Sequence, residues 1–175
     1  MSKALIIIDH QKAMFANPDM QPHDGEAVTD RIAMLLARAR AAKAPVFFVQ
    51  HDGGPEDDLH AGKPGYPFHD KIAPRPDEDV TVKTRSSAFH DTDFDAKLKR
   101  AGIDHLVITG MQSEYCVTSA IRGAYERGYK LTLASDAHST FDSKVAKGAD
   151  IVAIINDTTR GSFGRAVPAA EIDFD

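Results

Sequence analysis

HLVITGMQSEYCVTSAIRGAYERGYKLTLAS, residues 105–135, reads as a strand, a turn, a helix and a second strand in direct succession. HLVIT (105–109) is a short apolar run of the kind buried on both faces of a parallel sheet. Residues 114–127 read as a helix that ends before Gly128, and KLTLAS (130–135) returns to strand character. A strand, a helix and a strand joined by short connections pack with the two strands parallel. The same stretch holds Cys116, the only cysteine of the chain, placed after the first strand and in the first turn of the helix.

The pattern repeats outward from this unit. ALIII (4–8) and PVFFVQ (45–50) are buried strands, and VTVK (80–83) is a shorter one. Between the first two, residues 26–43 place Val28, Ile32, Leu35, Leu36 and Ala39 at helical spacing, and Ala44-Pro45 ends that helix. Residues 51–79 are rich in Gly, Pro, His and Asp; so long a loop in a compact domain is usually functional. Thr92 and Asp95 form a capping-box pattern ahead of FDAKLKRAG, a helix stopped at Gly102, with KLKR (97–100) as its solvated face. A last helix is expected over 143–158, with Val145, Ala149, Val152 and Ile155 on one face, followed by an irregular or short extended tail, AVPAAEIDFD. Alternating strands and helices predict an α/β fold, a three-layer α/β/α sandwich with a mostly parallel sheet, as one domain over 1–175.

Composition narrows the functions. The 175 residues are 42% apolar and 27% charged, with a formal net charge of −5. No basic block or stripe is present, which argues against nucleic acid or an anionic membrane as partner. One cysteine forms no internal disulfide, so a reducing, cytoplasmic setting is expected. The N-terminal segment lacks the long apolar region of a signal peptide, and no run of about 18 apolar residues suggests a membrane span.

In a parallel sheet, ligands bind beyond the carboxyl ends of the strands. Polar residues at those ends are Asp9 with His10 and Gln11, His51 with Asp52, Lys83, Cys116 beyond Gly110, and Asp136 with His138. A thiol of pKa about 8.5 is favoured as thiolate by a helix N-terminus and a nearby Lys. Asp9 has the chemistry to take the thiol proton and return it to a leaving amine, and backbone N–H groups at the helix start to stabilise an oxyanion. Taken singly, each residue has a plainer reading: Cys116 as a small core filler, Asp9 as a strand-end turn residue, Lys83 as a solvated strand end.

LIIIDHQKAMF (5–15), VTVKTRSSAF (80–89) and GMQSEYCVTSAIRGAYERGYKLTLASDAHST (110–140) resemble the signature segments of the isochorismatase-like cysteine hydrolases, which include nicotinamidases and N-carbamoylsarcosine amidases. The resemblance implies an isochorismatase-like, Rossmann-like sheet and a catalytic trio of Asp9, Lys83 and Cys116. It also implies a cis peptide between Met111 and Gln112, and an oxyanion hole from the backbone N–H groups of Gln112 and Cys116. The implied activity is hydrolysis of a C–N bond in a small amide, carbamoyl or lactam substrate through a thioester. Family members that cleave a vinyl ether generally lack the cysteine; such an ether hydrolase, or an inactive binding relative, is the alternative. A signalling receiver domain would need clustered acidic residues after its first strand, where this chain has DHQ.

No cofactor is expected. His51, Asp52, His60 and His69 are suitable metal ligands, but their spacing departs from the metal-binding pattern of nicotinamidases, so no metal is expected either. The loop QHDGGPEDD (50–58) is more similar to the bacterial branch near streptothricin hydrolase. Gln11 is expected to orient Asp9, with Phe15, Phe89 and Tyr115 lining an apolar pocket and His51 touching substrate. Asp136 and His138 are assigned to a subunit contact or a loop turn. By resemblance the protein is a homo-oligomer, a dimer or tetramer.

Overall fold

A computed structural model describes residues 2–174; Met1 and Asp175, the last residue of the expected tail, lie outside it. The centre is a six-stranded sheet in the order β3-β2-β1-β4-β5-β6, with every pairing parallel. The strands are β1 (Lys3–Ile8), β2 (Val46–His51), β3 (Asp79–Lys83), β4 (His105–Met111), β5 (Lys130–Ser139) and β6 (Arg165–Val167). The helices are α1 (Gly25–Ala41), α2 (Phe94–Arg100), α3 (Thr118–Glu126) and α4 (Gly148–Thr158).

Strand alternation builds two cores. Ala4, Ile6 and Ile8 of β1 face one side, where they join Phe94 and Leu98 of α2 and Ala120, Ile121 and Ala124 of α3. Leu5 and Ile7 face the other, against Val28, Ile32, Leu35, Leu36 and Ala39 of α1. A strand covered on both faces needs apolar residues at every position, which is why LIII is unbroken. The chain winds from β1 outward to β3, then returns to β4 beside β1 and winds the other way. The crevice at the carboxyl ends of β1 and β4 is therefore the switch point where ligands bind in such sheets.

Two backbone features shape this crevice. Gly110 of β4 has φ 116°, and a Cβ there would lie 2.0 Å from the Ile8 carbonyl oxygen. Only glycine allows the two strands to close at this level. Immediately after β1, Asp9 has φ 46°, the left-handed region that side-chain-bearing residues rarely adopt. The conformation turns the chain sharply at the strand end, where strain at a functional residue is most often tolerated.

Several expectations need correction. The last helix starts at Gly148, and Val145 lies before it, 95% exposed. Strand β5 runs on to Ser139, and the tail contributes a sixth strand, Arg165–Val167. The capping box does not form: the N-cap of α2 is Asp93, which makes no side-chain cap, while Asp95 accepts from Tyr129 Oη at 2.8 Å and Lys99 Nζ at 2.6 Å. KLKR is not wholly solvated either, since Leu98 is fully buried.

Candidate active site

The carboxyl ends of β1, β3 and β4 bring Asp9, Lys83 and Cys116 together, with β2 lying between β1 and β3. Lys83 ends β3 in register with His51 at the end of β2, and its side chain runs inward until none of it is exposed. Its Nζ lies 2.6 Å from Asp9 Oδ2 and 3.2 Å from Cys116 Sγ. It also donates to the Arg85 carbonyl at 3.1 Å and stands 3.2 Å from His51 Nδ1. An ammonium has only protons to offer, so His51 Nδ1 accepts and its other nitrogen carries the hydrogen. Asp9 is 1% exposed, and its Oδ1 has no hydrogen-bond donor among the described residues.

Cys116 sits in a wide turn, Ser113–Val117, that leads into α3. The Met111–Gln112 peptide that opens this turn is cis, as expected. The Gln112 N–H meets no acceptor among the described residues, whereas its carbonyl takes the N–H groups of Tyr115 and Val117 at 3.2 and 3.1 Å. Cys116, Asp9, His51 and Gln112 line one cavity of about 240 Å³, open to solvent, together with Met14, Asp57, Leu59, Ser86 and Tyr115. A larger depression at the amino end of the strands, among Arg40, Arg75 and Arg100, contains none of these residues.

Burial works against the pull of Lys83 and the helix start toward a thiolate. Burial pushes the Cys116 thiol up to about 12; the Asp9 charge adds to this, and Lys83 only partly offsets it. Burial likewise raises the Asp9 carboxyl above its ordinary value, against the pull of Lys83. His51 is lowered by burial and by the Lys83 charge. The resting arrangement is a protonated thiol beside the Asp9–Lys83 pair, with the proton acceptor already in place.

Other candidates fall elsewhere. Gln11 is fully buried, but its amide bonds the His51 N–H (2.9 Å), the His51 carbonyl (3.0 Å) and the Tyr66 carbonyl (2.7 Å). It ties the end of β2 to the following loop and does not orient Asp9. Phe15 packs on His10 and His69, at ring separations of 5.0 and 5.2 Å, and is not part of the cavity wall. Phe89 belongs to the core, with Phe94 at 5.1 Å and Tyr129 at 6.4 Å. Tyr115, 57% exposed, and His51 do line the cavity. Of the four possible metal ligands, Asp52 and His60 pair with each other at 2.7 Å, His51 faces Lys83, and His69 packs beside Phe15. They do not converge on a point. Asp136 accepts the Ala169 N–H at 2.7 Å and so anchors the tail; His138 is buried behind the Cys116 turn. Met14, Leu59, Ser86 and Asp57 carried no sequence signal, because only the fold of the long loops brings them to the cavity.

Residues 3–154 match the isochorismatase domain. The chain is 38% identical to streptothricin hydrolase of Streptomyces noursei over 144 residues, which is 82% of this chain but 52% of that protein, so it spans about half the length of that relative. It is 31% identical to ureidoacrylate amidohydrolase RutB of Methylorubrum extorquens over 182 aligned positions, covering 83% of this chain and 73% of RutB. Among solved structures it is similar to a cysteine hydrolase from Pseudomonas syringae, with a TM-score of 0.89 and 25% identity over 97% of this chain and 89% of that one.

Proposed function

The chain belongs to the isochorismatase family of hydrolases, and from that premise we propose that it is a cysteine-dependent amidohydrolase acting on a small amide, carbamoyl or lactam. The observation that carries the proposal is the placement of Lys83 Nζ between Asp9 Oδ2 and Cys116 Sγ, at 2.6 and 3.2 Å, beside a cavity that opens to solvent. The amide-cleaving activity in the name of RutB supports the choice of a C–N bond.

In this reading Asp9 removes the Cys116 proton as the sulfur attacks the substrate carbonyl carbon. A thiol held at about 12 is a poor nucleophile until its proton leaves, so deprotonation and attack are coupled. The carbonyl π electrons move to oxygen, which receives the N–H groups of Gln112 and Cys116. The oxyanion collapses, the C–N bond breaks, and the nitrogen departs with the proton from Asp9 as an amine or ammonia. Asp9 then takes a proton from water, the hydroxide oxygen adds to the thioester carbon, and the C–S bond breaks. Cys116 recovers the proton and the product is a carboxylic acid. Lys83 keeps Asp9 charged and aimed, and the free N–H of His51 is a donor for a polar group of the substrate.

The test is acylation by p-nitrophenyl acetate, followed by a screen of small amides for ammonia release. The expected result is a burst of one equivalent of p-nitrophenolate with an acetyl group on Cys116 by intact mass, and neither burst nor ammonia from Cys116→Ala. Amide turnover that survives Cys116→Ala would sink the proposal and move the assignment to an ether-hydrolase type of mechanism.

A further inference from the structure

Behind the Cys116 turn, three side chains and a carbonyl form one buried line. Asn156 of α4 donates its Nδ2 to the Ser135 carbonyl at 2.8 Å. Its Oδ1 lies 3.2 Å from His138 Nε2, and His138 Nδ1 lies 2.8 Å from Ser113 Oγ. Ser113, His138 and Asn156 are all buried. Each direction follows from the one before. An amide nitrogen only donates, so the Ser135 carbonyl fixes which end of Asn156 faces His138. The amide oxygen only accepts, so His138 Nε2 carries the hydrogen. A neutral imidazole then has Nδ1 as an acceptor, and the Ser113 hydroxyl must donate to it.

The line exists because β5 is irregular. Leu133 pairs with Ile108 of β4 and His138 with Gly110, so residues 134–137 stand opposite Thr109 alone. Such a bulge leaves backbone groups without ladder partners and re-aims the next side chain. Here Asn156 takes up the Ser135 carbonyl, and His138 points at Ser113. Ser113 is the residue after Gln112 and opens the turn that carries Cys116. Its carbonyl also accepts the Thr118 hydroxyl at 2.7 Å. A purely apolar filling would pack this space without fixing a direction; a fully satisfied polar chain fixes one.

We propose that Asn156, His138 and Ser113 act as a positioning chain, which holds the turn bearing the Gln112 N–H and the Cys116 thiol at the angle that acylation requires. The proposal rests on the reading of Cys116 as nucleophile. His138 touches neither Asp9 nor Lys83 nor the cavity, and is a positioning residue. Burial pushes it down to about 4, although Asn156 and the Asp136 charge pull upward. Asp136, the charged group that faces it, is itself engaged by Arg31 Nε at 3.4 Å and by the Ala169 N–H. The Cys116 turn and α4 offer it only the neutral Ser113 and Asn156. Across neutral pH the chain therefore keeps a single direction. Protonation would place a hydrogen on Nδ1, facing the Ser113 hydroxyl hydrogen, and break the chain at its functional end.

The experiment combines histidine ¹⁵N NMR of the intact protein with acylation by p-nitrophenyl acetate from pH 5 to 8. For the unaltered protein the expected result is a neutral, Nε2-protonated His138 throughout. Ser113→Ala is expected to slow acylation by at least about tenfold, with little change in the concentration that half-saturates it. Asn156→Asp places a carboxylate against Nε2, favours the imidazolium, and is expected to introduce an acid limb into the acylation profile within that range. An Nδ1-protonated or titrating His138, a Ser113→Ala burst at the unaltered rate, or an Asn156→Asp profile without the new limb overturns the proposal. The outcomes also separate the two readings: no burst from the unaltered protein defeats the cysteine hydrolase itself, and the chain's role with it. A burst indifferent to Ser113 defeats only the chain.

Discussion

Lys83 Nζ lies 2.6 Å from Asp9 Oδ2, and the two side chains are 0% and 1% exposed. Removing one partner of such a pair strands a buried charge, which typically costs about 3–5 kcal/mol. Lys83→Met is expected to destabilise the fold by that order in urea titrations. The loss should be smaller near pH 5 than near pH 8. With Lys83 gone, the folded carboxyl is raised still further above its unfolded value; the folded state then binds more protons, so stability falls as pH rises. Adding Asp9→Asn should recover most of the loss. Two additive single-mutant effects would mean that the charges do not interact.

The same carboxylate governs the thiol. With Cys116 held at about 12 by burial and then by Asp9, iodoacetamide should react slowly at pH 7.5 and keep accelerating beyond pH 9. Asp9→Asn removes a negative charge and leaves Lys83 beside the sulfur, so it favours the thiolate. Alkylation at pH 7.5 should rise by at least about tenfold, one pKa unit being a tenfold change in thiolate, while acylation turnover is lost. Intact mass resolves the single adduct. A slower alkylation in Asp9→Asn would show that Asp9 already activates the resting thiol.

The trio was legible because a parallel sheet has one functional rim, and strand ends can be read from apolar runs. Asp9, Lys83 and Cys116 each follow or end such a run, so their meeting needed only the strand order. What stayed hidden depends on three-dimensional burial and on short or irregular elements. Arg165–Val167 is too short for its alternation to register, and the β5 bulge hides the continuation to Ser139. Phe89 ends the Lys83 segment, yet its ring points into the α2–α3 core, which position along the chain does not reveal. Gln11 sits beside the site in sequence, but its amide bonds backbone, as any glutamine near a loop can. At Cys116 the helix start and the nearby lysine are visible in sequence, whereas the desolvation that outweighs them is not.

Gly110 should not tolerate a side chain. A Cβ would come within 2.0 Å of the Ile8 carbonyl oxygen, and φ 116° disfavours any other residue. Neither β1 nor β4 can retreat without losing its ladder. Gly110→Ala is expected to cost roughly 1–3 kcal/mol or more, the range for forced overpacking, and to slow acylation by moving Asp9 relative to Cys116. The control is Gly102→Ala, where a positive φ of 67° is strained but open space surrounds the Cβ. Its acylation rate should be normal. Equal kinetic effects at both positions would refute the idea that strand contact at Gly110 aligns the site.

Phe89 and Tyr115 separate core from cavity. Phe89 is 8% exposed, packs on Phe94 and Tyr129, and lies under the Arg127 guanidinium at 4.6 Å. Phe89→Ala should cost about 3–5 kcal/mol, as buried aromatic truncations do, while the folded fraction acylates at the unaltered rate. Tyr115 is 57% exposed and borders the cavity. Tyr115→Ala should leave stability within about 0.5 kcal/mol and raise the p-nitrophenyl acetate concentration needed for half-saturation. Urea titration and burst kinetics on the same two proteins read both quantities. If Phe89→Ala instead shifts half-saturation with stability intact, the ring contacts substrate and the core assignment is wrong.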